Sequence, residues 1–158
     1  MPRAELPQGL MPSMLDRLID PDAEGTSWRR GYSLEQVIDA VRRDLEELLN
    51  THQPYVHFPE EWAELSNSVF LYGMPDLVSF NATEREQIGG LVGKIISRFE
   101  PRLRNVRVVL ADAGDEHHAS VRFHVEAVVN VDPAPEVAFE TVVELFTGRT
   151  SVTAGGAP

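Results

Sequence analysis

A proline at position 101 separates two different hydrophobic periodicities in this chain. Before it, apolar residues recur at the three- and four-residue spacing of an α-helix, and after it they alternate as in a β-strand. Proline fixes its own φ angle and disfavours helical geometry at Glu100, so the helix should end near Phe99. The sequence therefore predicts a helix-to-strand corner at Glu100, Pro101 and Arg102, which we call the Glu-Pro-Arg corner.

Two arrangements are open to the charged side chains of this corner. In an extended segment, residues two apart project to the same side, so Glu100 and Arg102 would be presented together to a protein partner. Alternatively, they pair with each other, or with Arg98 and Arg104, at a solvated junction where an ion pair contributes about 0 to 1 kcal/mol. The residues by themselves favour the second arrangement, in which the corner has no partner.

Composition bounds the fold and the partners. A chain of 158 residues with 42% hydrophobic composition is long enough for one domain with a core. Its formal net charge of -11 disfavours nucleic acid and anionic membrane surfaces as partners and favours a basic protein surface. The absence of cysteine excludes disulfides and thiolate metal ligands. We expect no membrane insertion and no export, because neither a spanning apolar run nor a signal-peptide core is present.

The helical patterns lie in the first two thirds of the chain. One helix should begin after Ser33, which forms a capping box with Gln36, and should end near Asn50. A second should open with a capping box at Thr83 and Glu86 and end at the Glu-Pro-Arg corner. Its glycines predict close packing against a sheet: Gly89, Gly90 and Gly93. The polar face of the first helix is interpreted as solvated: Asp39, Arg42, Arg43, Asp44, Glu46 and Glu47.

Three alternating segments predict strands near residues 106–110, 121–131 and 137–145, and the prolines of residues 132–135 must form a connection. Helices followed by strands predict an α+β domain, with two main helices packed on an antiparallel sheet of about three strands.

Residues 1–30 are interpreted as an N-terminal arm with a short helix, residues 31–148 as the single domain, and residues 149–158 as a flexible tail. The edges of such a sheet are sites where another chain can pair.

Candidate catalytic and metal-binding residues are few. Glu60, Glu61 and Glu64 near Trp62 could supply the carboxylate pair of a peptidoglycan hydrolase, which would need a cleft and one raised pKa. His117 and His118, and the pair His52 and His57, lack the spacing and the further ligands of a metal site. We therefore expect no catalytic residue, no metal and no cofactor.

Five segments, in this order and spacing, resemble the TssE family of type VI secretion baseplate proteins: residues 13–18 (SMLDRL), 48–51 (LLNT), 72–77 (YGMPDL), 98–103 (RFEPRL) and 131–135 (VDPAP). The resemblance extends from about Ser13 to Val152. This family is similar to a contractile-phage baseplate wedge protein that was once labelled lysozyme-like. The resemblance implies a structural protein and not an enzyme.

The resemblance also implies partners and a site. The family signature corresponds here to Glu100, Pro101 and Arg102, and is expected to dock on neighbouring wedge subunits, with Arg98 and Arg104 beside it. The implied partners are the wedge proteins TssF, TssG and TssK, the sheath proteins TssB and TssC, and the spike or hub protein. The fold would be similar to the strand-exchanging domain of contractile sheath proteins, so the protein would help to start sheath polymerisation. Its place would be the cytoplasmic face of the inner membrane.

On this basis Arg102→Ala is expected to leave the fold intact and to weaken wedge assembly. A wedge subunit of a contractile phage or related injection machine is the alternative within the same class of protein. A peptidoglycan hydrolase is the alternative outside it.

Overall fold

The computed structural model describes Asp16, Leu18 and residues 32–53, 68–75, 85–111, 120–132, 134–144 and 147–155. The chain divides into two compact units, Met1–Val41 and Arg42–Pro158. In the first unit Asp16 and Leu18 are helical. Asp16 is buried, whereas Leu18 is exposed. The limits of the arm and of the domain stay predictions.

Both predicted α-helices are present. Helix α1 spans Leu34–Asn50 and helix α2 spans Arg85–Phe99. The capping box of α1 forms as expected, because the Ser33 amide donates to Gln36 Oε1 at 2.8 Å and the Gln36 amide donates to Ser33 Oγ at 3.3 Å. The capping box expected at Thr83 lies outside the described residues. The buried apolar side chains of α1 recur at helical spacing: Val37, Ala40, Val41, Leu45, Leu48 and Leu49.

The glycines of α2 let this helix approach the sheet. A Cβ atom on Gly89 would lie 3.2 Å from Cε1 of Phe123, and one on Gly93 would lie 3.3 Å from Cγ2 of Val108. These distances are tighter than ordinary van der Waals contact, so the predicted close packing is confirmed at these two positions. Gly90 differs from them, since a Cβ atom there would meet no atom within 4 Å.

Four antiparallel strands form one sheet in the order β1-β2-β3-β4. Their bounds are Leu103–Leu110, Ser120–Val129, Glu136–Glu144 and Thr150–Gly155. Two helices followed by an antiparallel sheet make the α+β fold that the sequence predicts. One face of the sheet supplies a large part of the core, through alternating residues of β2 and β3: Val121, Phe123, Val125, Ala127, Val129, Val137, Phe139, Thr141 and Val143.

Strand β4 lies where we expected a flexible tail, so that expectation is wrong for Thr150–Gly155. The segment is rich in small and polar residues, and Val152 is its only large apolar side chain. Its order comes from pairing with β3, in which Val143 lies opposite Thr150 and Thr141 lies opposite Val152. Such long-range pairing leaves little trace in local composition.

The two edges of the sheet differ. At the β4 edge, the side-chain amide of Asn50 accepts a hydrogen bond from the Thr150 amide at 2.9 Å and donates one to the Thr150 carbonyl at 2.7 Å. Arg42 donates to the Val152 carbonyl at 3.4 Å. Residues of α1 therefore occupy backbone groups that another strand would use. At the β1 edge, no strand within the described part of the chain pairs with β1 on the side away from β2.

Candidate protein-interaction site

Backbone hydrogen bonds hold the Glu-Pro-Arg corner in a turn. Helix α2 ends just before it, and the Glu100 amide donates to the Ile96 carbonyl at 2.9 Å. The Leu103 amide donates to the Glu100 carbonyl at 3.1 Å, which closes a turn with Pro101 in its second position. Proline favours this position because its fixed φ angle matches the turn. The predicted end of the helix is confirmed, although the corner is a turn and not an extended segment.

The side chains of Glu100 and Arg102 form a two-point ion pair across this turn. Arg102 Nε donates to Glu100 Oε1 at 2.7 Å, and Arg102 Nη2 donates to Glu100 Oε2 at 2.5 Å. The Arg102 amide also donates to Glu100 Oε1, at 3.2 Å. Because Glu100 is only 5% exposed, its carboxylate is directed into the protein and satisfied there. A partner would therefore not meet the free carboxylate that an extended corner would present.

A third residue completes the network from a distant part of the chain. Arg102 Nη2 also donates to Asp44 Oδ2 of helix α1 at 2.6 Å, and Arg43 Nη2 donates to Asp44 Oδ1 at 3.2 Å. The side chain of Asp44 is 19% exposed, so the interpretation of this helix face as solvated is wrong at Asp44. The tertiary fold brings α1 to the corner, and no local sequence signal marks Asp44 as a partner of Arg102.

The network keeps the Arg102 guanidinium positively charged. Partial burial acts to lower the pKa of the Arg102 guanidinium. The hydrogen bonds and negative charges of Glu100 and Asp44 outweigh this effect, so the pKa of Arg102 lies above its usual value. Arg102 is accordingly a fixed cation between two carboxylates. Its side chain is 28% exposed, which leaves part of the guanidinium accessible at the surface.

Tyr72 lies beside the same network. Its ring packs edge to face on Phe99 with the centroids 5.4 Å apart. Burial, followed by the negative charges of Glu47, Asp44 and Glu100, raises the pKa of the Tyr72 hydroxyl. Tyr72 follows a short 3₁₀-helix over Val69–Leu71. The sequence pattern assigns no role to Val69–Leu71, whereas residues 72–77 belong to the TssE resemblance.

The next two residues fasten this segment to the end of α1. Gly73 has a φ of 105°, and a Cβ atom there would lie 2.3 Å from the Thr51 carbonyl oxygen, so only glycine fits. The Met74 amide donates to that same carbonyl at 2.8 Å, and the Gln53 amide donates to the Met74 carbonyl at 2.8 Å. Described parts of three segments of the TssE resemblance thus lie around one ion-pair network: residues 48–51, 72–75 and 98–103.

The sequence of residues 35–134 matches the family model of the baseplate wedge protein gp25. The chain belongs to this wedge family. The matched region contains the whole Glu-Pro-Arg corner together with Asp44 and Tyr72. Because the family includes TssE, the resemblance drawn from the sequence is confirmed. The chain matches no curated protein and no solved structure significantly.

The exposed part of the corner in this wedge protein consists of Pro101, Arg98 and Arg104. Neither Arg98 nor Arg104 forms a salt bridge with another described residue. The arrangement that pairs Glu100 with Arg102 is therefore the one observed, but its further partner is Asp44. Two exposed cations and a rigid proline remain at the surface, and they suit contact with an acidic or polar protein surface.

Most of the candidate catalytic and metal-binding residues lie outside the described part of this wedge protein: Glu60, Glu61, Trp62, Glu64, His57, His117 and His118. His52 is described and its side chain is exposed. Among the described residues, no group of three or more histidine, aspartate or glutamate side chains could hold a metal ion. In the same residues, no helix is both long and apolar enough to cross a bilayer.

Proposed function

We propose that the chain is the structural wedge subunit of a type VI secretion baseplate, the role of the TssE proteins. The family match over residues 35–134 carries this proposal. The five ordered segments of the TssE resemblance favour a secretion system over a contractile phage or a related injection machine, which is the alternative. The subunit would be assembled in the cytoplasm, at the cytoplasmic face of the inner membrane.

In this proposal the Glu-Pro-Arg corner docks on the neighbouring wedge proteins TssF, TssG and TssK. Pro101, Arg98 and Arg104 supply the accessible surface, together with the exposed part of Arg102. The network fixes the Arg102 side chain, so this residue loses little freedom on docking. A rigid corner with exposed cations therefore suits a specific contact with a protein partner.

The second contact in this proposal is with the sheath. An unpaired strand edge can add a strand from the sheath proteins TssB or TssC through backbone hydrogen bonds, which place little demand on side-chain identity. In this way the baseplate would start sheath polymerisation. The spike or hub protein would be a further neighbour. The role is structural and not enzymatic, and it needs no cofactor.

Co-purification tests the wedge role. The tagged chain is expressed with the baseplate proteins encoded beside it, as wild type, Arg104→Glu and the matched control Arg122→Glu, which reverses an exposed charge near the start of β2. Circular dichroism first establishes that each variant is folded. The wild type and Arg122→Glu should retain the wedge proteins, whereas Arg104→Glu should retain about tenfold less, because a charge reversal at a contact penalises docking.

Failure of the folded wild type to retain any wedge protein would contradict the proposal. In that case a peptidoglycan-release assay would test the hydrolase alternative directly. Equal retention by the wild type, Arg104→Glu and Arg122→Glu would keep the wedge role and place the contact away from Arg104.

A further inference from the structure

The short 3₁₀-helix over Val69–Leu71 consists only of large apolar residues and buries none of them. Val69 is 80% exposed and Phe70 is 56% exposed. The other exposed large apolar residues in the described part of the chain lie singly along the sequence: Leu18, Leu34 and Val109. Single exposed apolar residues are ordinary on a protein surface, whereas a contiguous apolar patch is typical of an interaction site.

The exposed pair stands on a fixed backbone, although its own side chains contribute little to the core. The Tyr72 amide donates to the Val69 carbonyl at 3.1 Å, which closes the 3₁₀ turn. Two residues further on, the buried Met74 donates its amide to the Thr51 carbonyl at 2.8 Å. The order of this segment therefore comes from the residues that follow it. Apolar side chains on such a backbone lose little freedom when a partner covers them.

The exposed pair lies close to the Glu-Pro-Arg corner. The Tyr72 ring packs on Phe99, which immediately precedes the corner, with the centroids 5.4 Å apart. A 3₁₀-helix rises about 2 Å per residue, so Val69 lies about 6 Å from Tyr72 along the helix axis. A standard protein interface buries about 800 Å² on each partner, which is a patch roughly 30 Å across. A partner centred on the corner therefore reaches Val69 and Phe70.

The exposed pair also supplies what the corner lacks. The accessible surface of the corner consists of Pro101 and of the cations Arg98 and Arg104, and the large apolar residue that follows it, Leu103, is buried. Charged contacts at the rim of an interface contribute to orientation and association rate more than to affinity. The residues that contribute most to affinity are commonly aromatic side chains that enter a pocket of the partner. Phe70 is a side chain of this kind.

We infer that Val69 and Phe70 form an apolar anchor, which enters an apolar pocket on the same wedge protein that the Glu-Pro-Arg corner binds. The inference rests on the proposed function, in which the corner docks on neighbouring wedge subunits. The partner surface would combine an apolar pocket for Phe70 with an acidic or polar area that faces Arg98 and Arg104.

Substitution of the two side chains tests the anchor. Binding to the purified wedge proteins should weaken at least about tenfold for Phe70→Ser and about threefold for Val69→Ser. Phe70→Leu, which keeps an apolar side chain, should retain most of the binding. Leu34→Ser is the matched control, because it removes an exposed apolar side chain at the start of α1, and it should stay within about twofold of the wild type.

Circular dichroism and urea denaturation establish that each variant is folded. Val69 is the more exposed of the two residues, so Val69→Ser tests the anchor even if Phe70→Ser lowers stability. Wild-type binding by both folded serine variants would overturn the inference.

Salt dependence separates an apolar anchor from a charged contact. The Debye length falls from about 10 Å at 0.1 M salt to about 3 Å at 1 M, so charged contacts at the surface weaken while apolar contacts persist. The affinity loss of Arg104→Glu should therefore shrink at high salt, whereas that of Phe70→Ser should stay at about tenfold or more. A Phe70→Ser loss that shrinks in parallel with that of Arg104→Glu would contradict an apolar anchor.

Photo-cross-linking identifies what covers the patch. A benzophenone amino acid in place of Phe70 keeps an aromatic side chain and reacts with C–H bonds in contact with it. In the assembled complex, mass spectrometry should find this side chain joined to an apolar segment of a wedge protein. A product that joins two copies of this chain, or that joins it to a sheath protein, would overturn the inference.

The outcomes separate this inference from the proposed function. Weakened wedge binding by Val69→Ser and Phe70→Ser, with the cross-link to a wedge protein, supports the inference. A wild type that retains wedge proteins, together with serine variants that retain them equally, overturns the inference and keeps the proposed function. A folded wild type that retains no wedge protein contradicts the proposed function itself.

Discussion

Arg102 holds two carboxylates that come from different elements of the chain. Its guanidinium binds Glu100 through two nitrogen atoms and Asp44 through one of them. A lysine could not reproduce this arrangement, because its ammonium lacks the planar fork that meets both oxygens of a carboxylate. The residue that the TssE resemblance marks for partner binding is therefore also a structural residue of this chain.

Arg102→Ala should consequently lower the free energy of unfolding by about 2 to 3 kcal/mol, because it leaves the buried Glu100 carboxylate without its partner. This differs from the expectation, based on the sequence, that the variant keeps an intact fold. Urea denaturation followed by circular dichroism measures the effect. Arg104→Ala, at an exposed position, is the control and should change stability by no more than about 0.5 kcal/mol.

An Arg102→Ala protein as stable as the wild type would show that the network does not support the fold. The loss of wedge proteins by that variant would then report on docking alone. A destabilised variant makes co-purification with Arg102→Ala ambiguous, which is why Arg104→Glu is the better test of the contact.

Tyr72 should make the stability of the folded chain depend on pH in the alkaline range. Burial and the charges of Glu47, Asp44 and Glu100 raise the pKa of Tyr72 in the folded chain, so folding favours the neutral hydroxyl. The corresponding stability is fully present below the unfolded pKa of about 10 and is lost as the pH rises through the folded value. Tyr72→Phe removes this titration and keeps the ring that packs on Phe99.

Between pH 8 and pH 11 the urea midpoint of the wild type should therefore fall more steeply than that of Tyr72→Phe. The two proteins should differ little near pH 8, where the hydroxyl is neutral in both states. Parallel curves over the whole range would mean that Tyr72 ionises equally easily in the folded and the unfolded chain.

At the scale of the elements, one side chain of α1 substitutes for a neighbouring strand. The amide of Asn50 both donates to and accepts from the backbone of Thr150, as a residue of a paired strand would do. It also donates to the Glu46 carbonyl at 2.6 Å, which belongs to the last turn of the helix. The end of α1 and the start of β4 are thereby joined by one residue.

Asn50→Ala should lower the free energy of unfolding by about 2 kcal/mol, because it leaves polar groups of the buried Thr150 backbone without partners. Hydrogen exchange should show faster exchange of the Thr150 amide, with little change in β2. Asn130→Ala is the matched control, since Asn130 is exposed and its side chain makes no hydrogen bond to a described residue. Unchanged exchange at Thr150 in Asn50→Ala would contradict a role for Asn50 at this edge.

The elements themselves were largely predictable because their signals are local. The capping box at Ser33, the stripe of α1 and the stop at Pro101 depend on residues within a few positions of each other. The alternation in β2 and β3 is equally local. Strand β4 was missed, because it has few apolar residues and depends on pairing with β3 and on Asn50.

At the scale of the whole molecule, the site could be predicted only in part. The sequence indicated that Glu100 and Arg102 lie together, because one proline separates them. It could not indicate Asp44, since Arg102 comes 58 positions after it along the chain. The grouping of family segments around the corner likewise became visible only in three dimensions. Residues 35–134 that match the wedge family contain every member of this network.

The unequal edges of the sheet also bear on how many neighbours the molecule can have. With β4 covered by Asn50 and Arg42, the described part of the chain offers one edge for β-pairing, at β1. In the vocabulary of polymers, it has a valence of one for strand addition. Such a unit can begin a row of subunits but cannot be inserted into the middle of one. Growth from it therefore has a single direction, and two rows cannot be cross-linked through its sheet.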